Sequence, residues 1–138
     1  QMCIRDRIEV DELGKPFFPD HPDTYFSLSH TAGAAAAALA DTPVGVDIER
    51  VRPVSVRAME RIAGVRTEAA FFRSWVRREA RVKRTGSGIV TMMRTEAPLN
   101  RGEFYYEVDA FHGYAAGVAA GQPEPPQPVH RLMLDQLL

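Results

Sequence analysis

Apolar and polar positions alternate most regularly over Val44-Gly45-Val46-Asp47-Ile48-Glu49. Side chains in a strand take opposite faces, so Val44, Val46 and Ile48 point one way and Gly45, Asp47 and Glu49 the other. Residues 25–29 (Tyr-Phe-Ser-Leu-Ser) alternate too and predict an aromatic-rich strand ending at His30. Residues 34–40 carry six alanines, which favour helix; the run is short for an independent helix and lies between two strand-like runs, so a small-residue strand is expected. Asp41-Thr42-Pro43 then makes a hairpin-like turn into 44–49.

Before these, 8–13 reads as a short strand, Gly14-Lys15-Pro16 as a turn and 19–22 as a loop. After Pro53 a short helix is expected over 56–63, stopped by Gly64. A longer helix over 68–84 has Phe71, Phe72, Trp75, Val76 and Ala80 as its apolar stripe, with Gly86-Ser87-Gly88 ending it. Residues 89–93 read as a strand, 104–111 and 114–120 as a hairpin turning at His112-Gly113, and 122–128 as a proline-rich segment before a final strand or loose helix over 129–138. The expected architecture is α+β, a mainly antiparallel sheet packed against one long helix.

Composition changes this picture little: 138 residues with 45% hydrophobic and 25% charged residues suit one soluble domain. No apolar run is long enough to span a membrane and nothing at the N-terminus reads as a signal peptide, so a cytoplasmic protein with no membrane partner is expected. Cys3 is the single cysteine, which excludes a disulfide framework or a thiolate zinc site. Residues 1–7 resemble translated sequencing-adapter sequence and are set aside from fold reasoning.

Charge is more informative than its net value of −1. Residues 50–94 carry twelve Lys/Arg against three acids. Such a stretch is either a solvated, Arg-rich helical face or a surface for an acidic partner or a polyphosphate. Nucleic acid is not the expected partner, because Phe71, Phe72 and Trp75 read as core rather than as bases' stacking partners.

Chemistry concentrates on Asp47 and Glu49, and on Trp75, Glu79 and Lys83 at i, i+4, i+8 of the long helix. Three acids and a lysine brought together suit a hard divalent cation holding phosphate oxygens. Each part has a plainer reading. Asp-x-Glu is a common exposed strand edge, and Glu79 with Lys83 an ordinary helix ion pair. His30 beside serines is commonly structural, Lys15 is an ordinary turn lysine, and glycines 86 and 88 are a helix stop before they are a phosphate loop. A metal-dependent exonuclease would use Asp47 and Glu49 with His130 and Asp135, but leaves the Glu79/Lys83 helix unexplained. A non-enzymatic fragment or binding module would leave the acids as a surface edge.

Gly14-Lys15-Pro16, Phe26-Ser27-Leu28-Ser29-His30-Thr31, Val44-Gly45-Val46-Asp47-Ile48-Glu49 and Trp75-x-x-x-Glu79-Ala80-x-x-Lys83-x-x-Gly86 occur in that order. The set resembles the 4′-phosphopantetheinyl transferases, in particular the larger pseudo-dimeric type that activates peptide and polyketide synthases. The resemblance covers residues 14–88 and implies a transferase-like fold in which 8–43 end an upstream pseudo-repeat, 44–122 form the C-terminal transferase domain with the metal site, and 123–138 are a tail. It implies transfer of 4′-phosphopantetheine from coenzyme A, the co-substrate, to a serine of an acidic acyl or peptidyl carrier protein in fatty acid, polyketide or nonribosomal peptide biosynthesis. The positions matching the family's acids, Asp47, Glu49 and Glu79, are expected to hold Mg²⁺ (or Mn²⁺). Glu79 is also expected as base, Lys83 as donor to a phosphate or leaving oxygen, and His30, Ser29 and Lys15 as contacts of the nucleotide phosphates. The Arg-rich stretch would face the carrier helix. The upstream half is expected to be missing, and with it the basic residues that would grip the 3′-phosphate, so incomplete folding or poor coenzyme A binding is expected without it.

Overall fold

The computed structural model describes residues 7–133. Two short strands open the fold, β1 (Glu9–Val10) and β2 (Pro16–Phe17), paired antiparallel around a turn in which Asp11 Oδ1 accepts from the N–H groups of Leu13 and Lys15. A second antiparallel pair follows, β3 (Tyr25–Thr31) with β4 (Ala34–Ala40), in register from Tyr25↔Ala40 to Thr31↔Ala34. The alanine run is therefore strand. Pairing along all seven residues of β3 overrides the helix preference of alanine, as tertiary context commonly does.

The third sheet contains β5 (Gly45–Arg50), β6 (Phe104–Val108) and β7 (Tyr114–Ala120) in the order β5-β7-β6, all antiparallel. Between β5 and β6 lie α1 (Val56–Ala63), α2 (Glu68–Thr85) and α3 (Ile89–Arg94). The Ser55 and Thr67 side chains cap α1 and α2 by accepting from Ala58 and Ala70 N–H, and Gly64 and Gly86 end them in the left-handed conformation. One face of the sheet packs on α2; on the other, Val44, Val46, Val118 and Ala120 form a core with Tyr25 and the alanines of β4. A second core joins Met59 of α1 to Phe71 and Phe72 of α2.

Five expectations are corrected. Residues 41–43 do not make a hairpin: β4 and β5 belong to different sheets, and β5 pairs with β7 instead. Residues 89–93 are helix rather than strand; Gly88 starts the turn and its carbonyl accepts from Met92 N–H. The strand at 8–13 shrinks to Glu9–Val10, and β6 stops at Val108, where the chain turns through Phe111 so that Tyr114 N–H reaches the Phe111 carbonyl. Residues 129–133 form no regular element, and 134–138, like Cys3, lie outside the described residues.

Strand β5 has a second neighbour that is not a ladder partner. Its N–H groups at Val46, Ile48 and Arg50 face away from β7 and donate to the hydroxyls of Ser27 (3.0 Å), Ser29 (3.2 Å) and Thr31 (3.3 Å). Side-chain oxygens at i, i+2 and i+4 of β3 thus satisfy the open edge of β5, which would otherwise carry buried unpaired donors. This seam locks β3 alongside Asp47.

Candidate active site

Gly45 positions the site. A Cβ there would collide with the Ala80 carbonyl oxygen and the Arg84 N–H, because the backbone of α2 lies directly on β5 at this point. The close approach that Gly45 permits is made by the helix, and it brings the last turns of α2 over Asp47.

Asp47 is buried, at 4% exposure. Its Oδ1 accepts from Ser29 Oγ at 2.9 Å and from Lys83 Nζ at 3.1 Å. Its Oδ2 is buried and has no hydrogen-bond partner among the described residues. Burial pushes the Asp47 carboxyl up, with the Glu49 charge adding to it and Lys83 and Ser29 opposing. Glu79, half-buried one turn before Lys83, is also pushed up, first by burial and then by the negative charges of Asp47 and Glu49. Two acids that resist ionisation side by side form a site short of positive charge.

Glu49, close enough for its charge to be felt by both acids, is engaged by a cation of its own. Its Oε2 accepts from Arg52 Nη1 at 2.7 Å, and the Arg52 guanidinium rests 4.8 Å over the Phe72 ring. Consistent with that, no group of three or more His, Cys, Asp or Glu side chains is drawn together as a metal cage among the described residues. The donor set nevertheless suits a hard cation: an unpartnered, buried carboxylate oxygen on Asp47 beside a second carboxylate on Glu79.

The remaining expected site residues divide. Lys83 reaches the site, donating to Asp47 and, at 3.3 Å, to the Leu28 carbonyl; an ammonium has a third N–H to offer. Ser29 is committed to Asp47 and to Ile48 N–H. Lys15 donates to the carbonyls of Val44 (3.1 Å) and Lys83 (2.7 Å), so it fastens the end of α2 to the start of β5; burial, then the nearby Lys83 charge, lowers its pKa against the pull of Asp11. His30 is exposed on β3, alternating away from Ser29 and Asp47. His130 lines a groove with Val46 and Ile48, on the sheet face opposite Asp47, and Asp135 lies outside the described residues.

The Arg-rich stretch is only partly a surface. Arg81, 2% exposed, and Arg78 are buried; Arg77 binds Glu96 through Nε (2.6 Å) and Nη2 (2.8 Å), and Arg81 binds Glu103. These arginines pin the loop after α3 to the helix, while Arg57, Arg61, Arg66 and Arg73 remain exposed. Sequence reasoning missed Arg52 and Tyr105. A basic residue three after Glu49 was one available signal; a glycine in the middle of β7, Gly117, which Tyr105 covers, was the other.

No family model matches the chain. The 4′-phosphopantetheinyl transferase Sfp of Bacillus subtilis (strain 168) is 27% identical over a region spanning 96% of this chain and 70% of its own. The 4′-phosphopantetheinyl transferase psf-1 of Bacillus pumilus is 36% identical over 59% of this chain and 40% of its own. The 4′-phosphopantetheinyl transferase AcpT of Salmonella typhi is 33% identical over 64% of this chain and 54% of its own. Among the described residues no helix is long and apolar enough to cross a membrane.

Proposed function

We infer that this chain, a relative of the 4′-phosphopantetheinyl transferases and an enzyme of their class, transfers 4′-phosphopantetheine from coenzyme A to a serine hydroxyl of an acyl or peptidyl carrier protein with the help of Mg²⁺ (or Mn²⁺). The observation that supports the metal is the buried Asp47 Oδ2 without a partner, next to Glu79 and Lys83. Asp47, Glu79 and, once released from Arg52, Glu49 would hold the ion. When bound, it neutralises charge on the pyrophosphate.

The chain's own residues do the rest. The carrier serine oxygen forms a bond to the phosphorus that bears pantetheine, and the pyrophosphate P–O bond breaks to release adenosine 3′,5′-bisphosphate. Glu79, whose proton affinity is raised by burial and by two neighbouring acids, accepts the serine proton directly or through water. Lys83 offers its free N–H to a phosphate or leaving oxygen while its other bonds hold it to Asp47 and Leu28. Ser29 and the β3 seam keep Asp47 in place; His30, exposed nearby on β3, is available to a phosphate. Exposed arginines of α1 and α2 suit the acidic carrier. Residues 44–122 form the transferase unit in this reading, 8–43 end a preceding half, and 123–133 belong to the tail; the cytoplasm is its location.

Incubation of the chain with an apo carrier protein, coenzyme A and Mg²⁺ tests this by mass: the carrier gains one phosphopantetheine. Asp47→Ala and Glu79→Ala abolish the gain with their circular dichroism unchanged. Transfer retained in both variants, or degradation of single-stranded nucleic acid in its place, overturns the reading.

A further inference from the structure

Gly117 sits in the middle of the central strand β7, where a residue without a side chain weakens the sheet and calls for a reason. Tyr105 supplies it. Gly117 is paired with Asp47 on one side and Glu107 on the other, and Tyr105 is paired with Ala119, so all five stand on the face that α2 covers. The Tyr105 ring leans along that face until its hydroxyl takes the space that a Gly117 side chain would fill; a Cβ at 117 would collide with the phenol oxygen and with Cζ and Cε1. Directly paired positions on one face have Cβ atoms about 4.5–5.5 Å apart. The phenol is therefore delivered beside the Asp47 carboxylate.

Asp47 Oδ2 is buried with no hydrogen-bond partner among the described residues. The Tyr105 hydroxyl makes no hydrogen bond to a described residue either, but it is not sealed off and keeps access to water. Tyr106 and Tyr114 differ: their hydroxyls donate to the carbonyls of Gln122 (2.8 Å) and Ala32 (2.7 Å). An open donor and an open acceptor side by side under a helix are the setting in which proteins hold an ordered water. Burial keeps the phenol protonated at any ordinary pH, so it acts as a donor.

We propose that Tyr105 is a positioning residue for the cation that Asp47 takes up: its O–H, held over Gly117, donates to a water beside Asp47 Oδ2 and keeps that oxygen facing the ion. The inference rests on the metal reading given above.

Mn²⁺ titration of the full chain by calorimetry, with free Mn²⁺ followed by electron paramagnetic resonance, tests it. Tyr105→Phe keeps the ring and removes the donor; its melting temperature is expected to stay close to that of the parent while Mn²⁺ affinity falls about tenfold, the usual effect of losing an outer-shell partner. Asp47→Asn is expected to lose binding. Parent-like Mn²⁺ affinity in Tyr105→Phe, with binding lost in Asp47→Asn, overturns the role of Tyr105 and leaves the metal site standing. Absence of Mn²⁺ binding in the parent chain overturns both. Should Tyr105→Phe melt early, the near-ultraviolet difference spectrum of the parent on adding Mg²⁺ decides: a tyrosine band change is expected, and none overturns the proposal.

Discussion

Arg81 and Glu103 lie 22 positions apart and bind through two parallel N–H···O bonds, Nε to Oε2 at 3.0 Å and Nη2 to Oε1 at 2.9 Å, with both side chains at or below 3% exposure. The guanidinium also donates to the Ala97 and Pro98 carbonyls, and Glu103 Oε1 accepts from Asn100 N–H, so the pair closes the loop between α3 and β6. Removing Arg81 leaves the buried Glu103 carboxylate without a counter-charge in contact, with Asn100 as its remaining donor among the described residues. Arg81→Met is therefore expected to cost about 3–5 kcal/mol in urea unfolding, and Glu103→Gln less, because the amide oxygen still accepts. Burial alone would raise the Glu103 carboxyl, but Arg81 and the Asn100 N–H outweigh it and hold it below 4.5. Its contribution is thus complete above about pH 4.5 and lost as pH falls through the depressed value. Urea midpoints measured from pH 3 to 7 should show a shallower acid limb in Glu103→Gln than in the parent.

Gly45 tolerates no side chain. Gly45→Ala places a methyl group against the Ala80 carbonyl and the Arg84 N–H, both backbone atoms of α2. Neither can swing aside as a side-chain tip would, so the helix must lift. A loss of about 3 kcal/mol or somewhat more is expected, at the upper end for overpacking. The separation of Lys83 from Asp47 that follows should abolish transfer even where the variant still folds at low temperature. Denaturation midpoint and transfer rate, measured together, check both parts.

Glu79 has the opposite effect on stability. Its folded-state pKa is raised above 4.5, by burial first and by Asp47 and Glu49 next, so the folded chain binds its proton more tightly than the unfolded one. Stability from this group is greatest below pH 4.5 and declines as pH rises through the raised value. Glu79→Gln removes that decline. The variant is expected to melt roughly 1–3 °C above the parent at pH 7.5 and to show no advantage at pH 4, while losing transfer. Calorimetric melting at the two pH values is the check.

Ser29 joins β3 to β5 through one hydroxyl that serves two groups. It donates to Asp47 Oδ1 and accepts from Ile48 N–H, on a strand edge where water is excluded. Ser29→Ala leaves both groups short of a partner and is expected to cost about 1–3 kcal/mol. Thr31→Ala, at the exposed end of the same seam, should cost a few tenths, comparable with other exposed substitutions. Faster amide exchange at Ile48 in Ser29→Ala, with Val46 still protected by Ser27, would locate the damage.

Much of this was legible in the order of residues because it is local. Alternation over 44–49, the apolar stripe of α2, the glycine stops at 64 and 86 and the small residue that lets α2 settle on β5 each involve neighbours within a turn or a strand. Such patterns are dictated by side-chain period and backbone sterics, which the chain carries everywhere along its length. Asp47 and Lys83, 36 positions apart, were candidates on those grounds and do meet.

Tertiary structure alone decided which partner each polar group takes. Nothing local directs Lys15 to the Lys83 carbonyl 68 positions away, Ser29 to the back of Asp47, or Arg81 inward to Glu103. Nor did the turn at 41–43 reveal that β5 would leave β4 for β7 and have its open edge answered by hydroxyls. A strand edge or a long charged side chain is compatible with many partners of similar energy. The choice among them is made only when helix and sheet have closed, water has gone, and an unpaired buried group has become more costly than a shifted one.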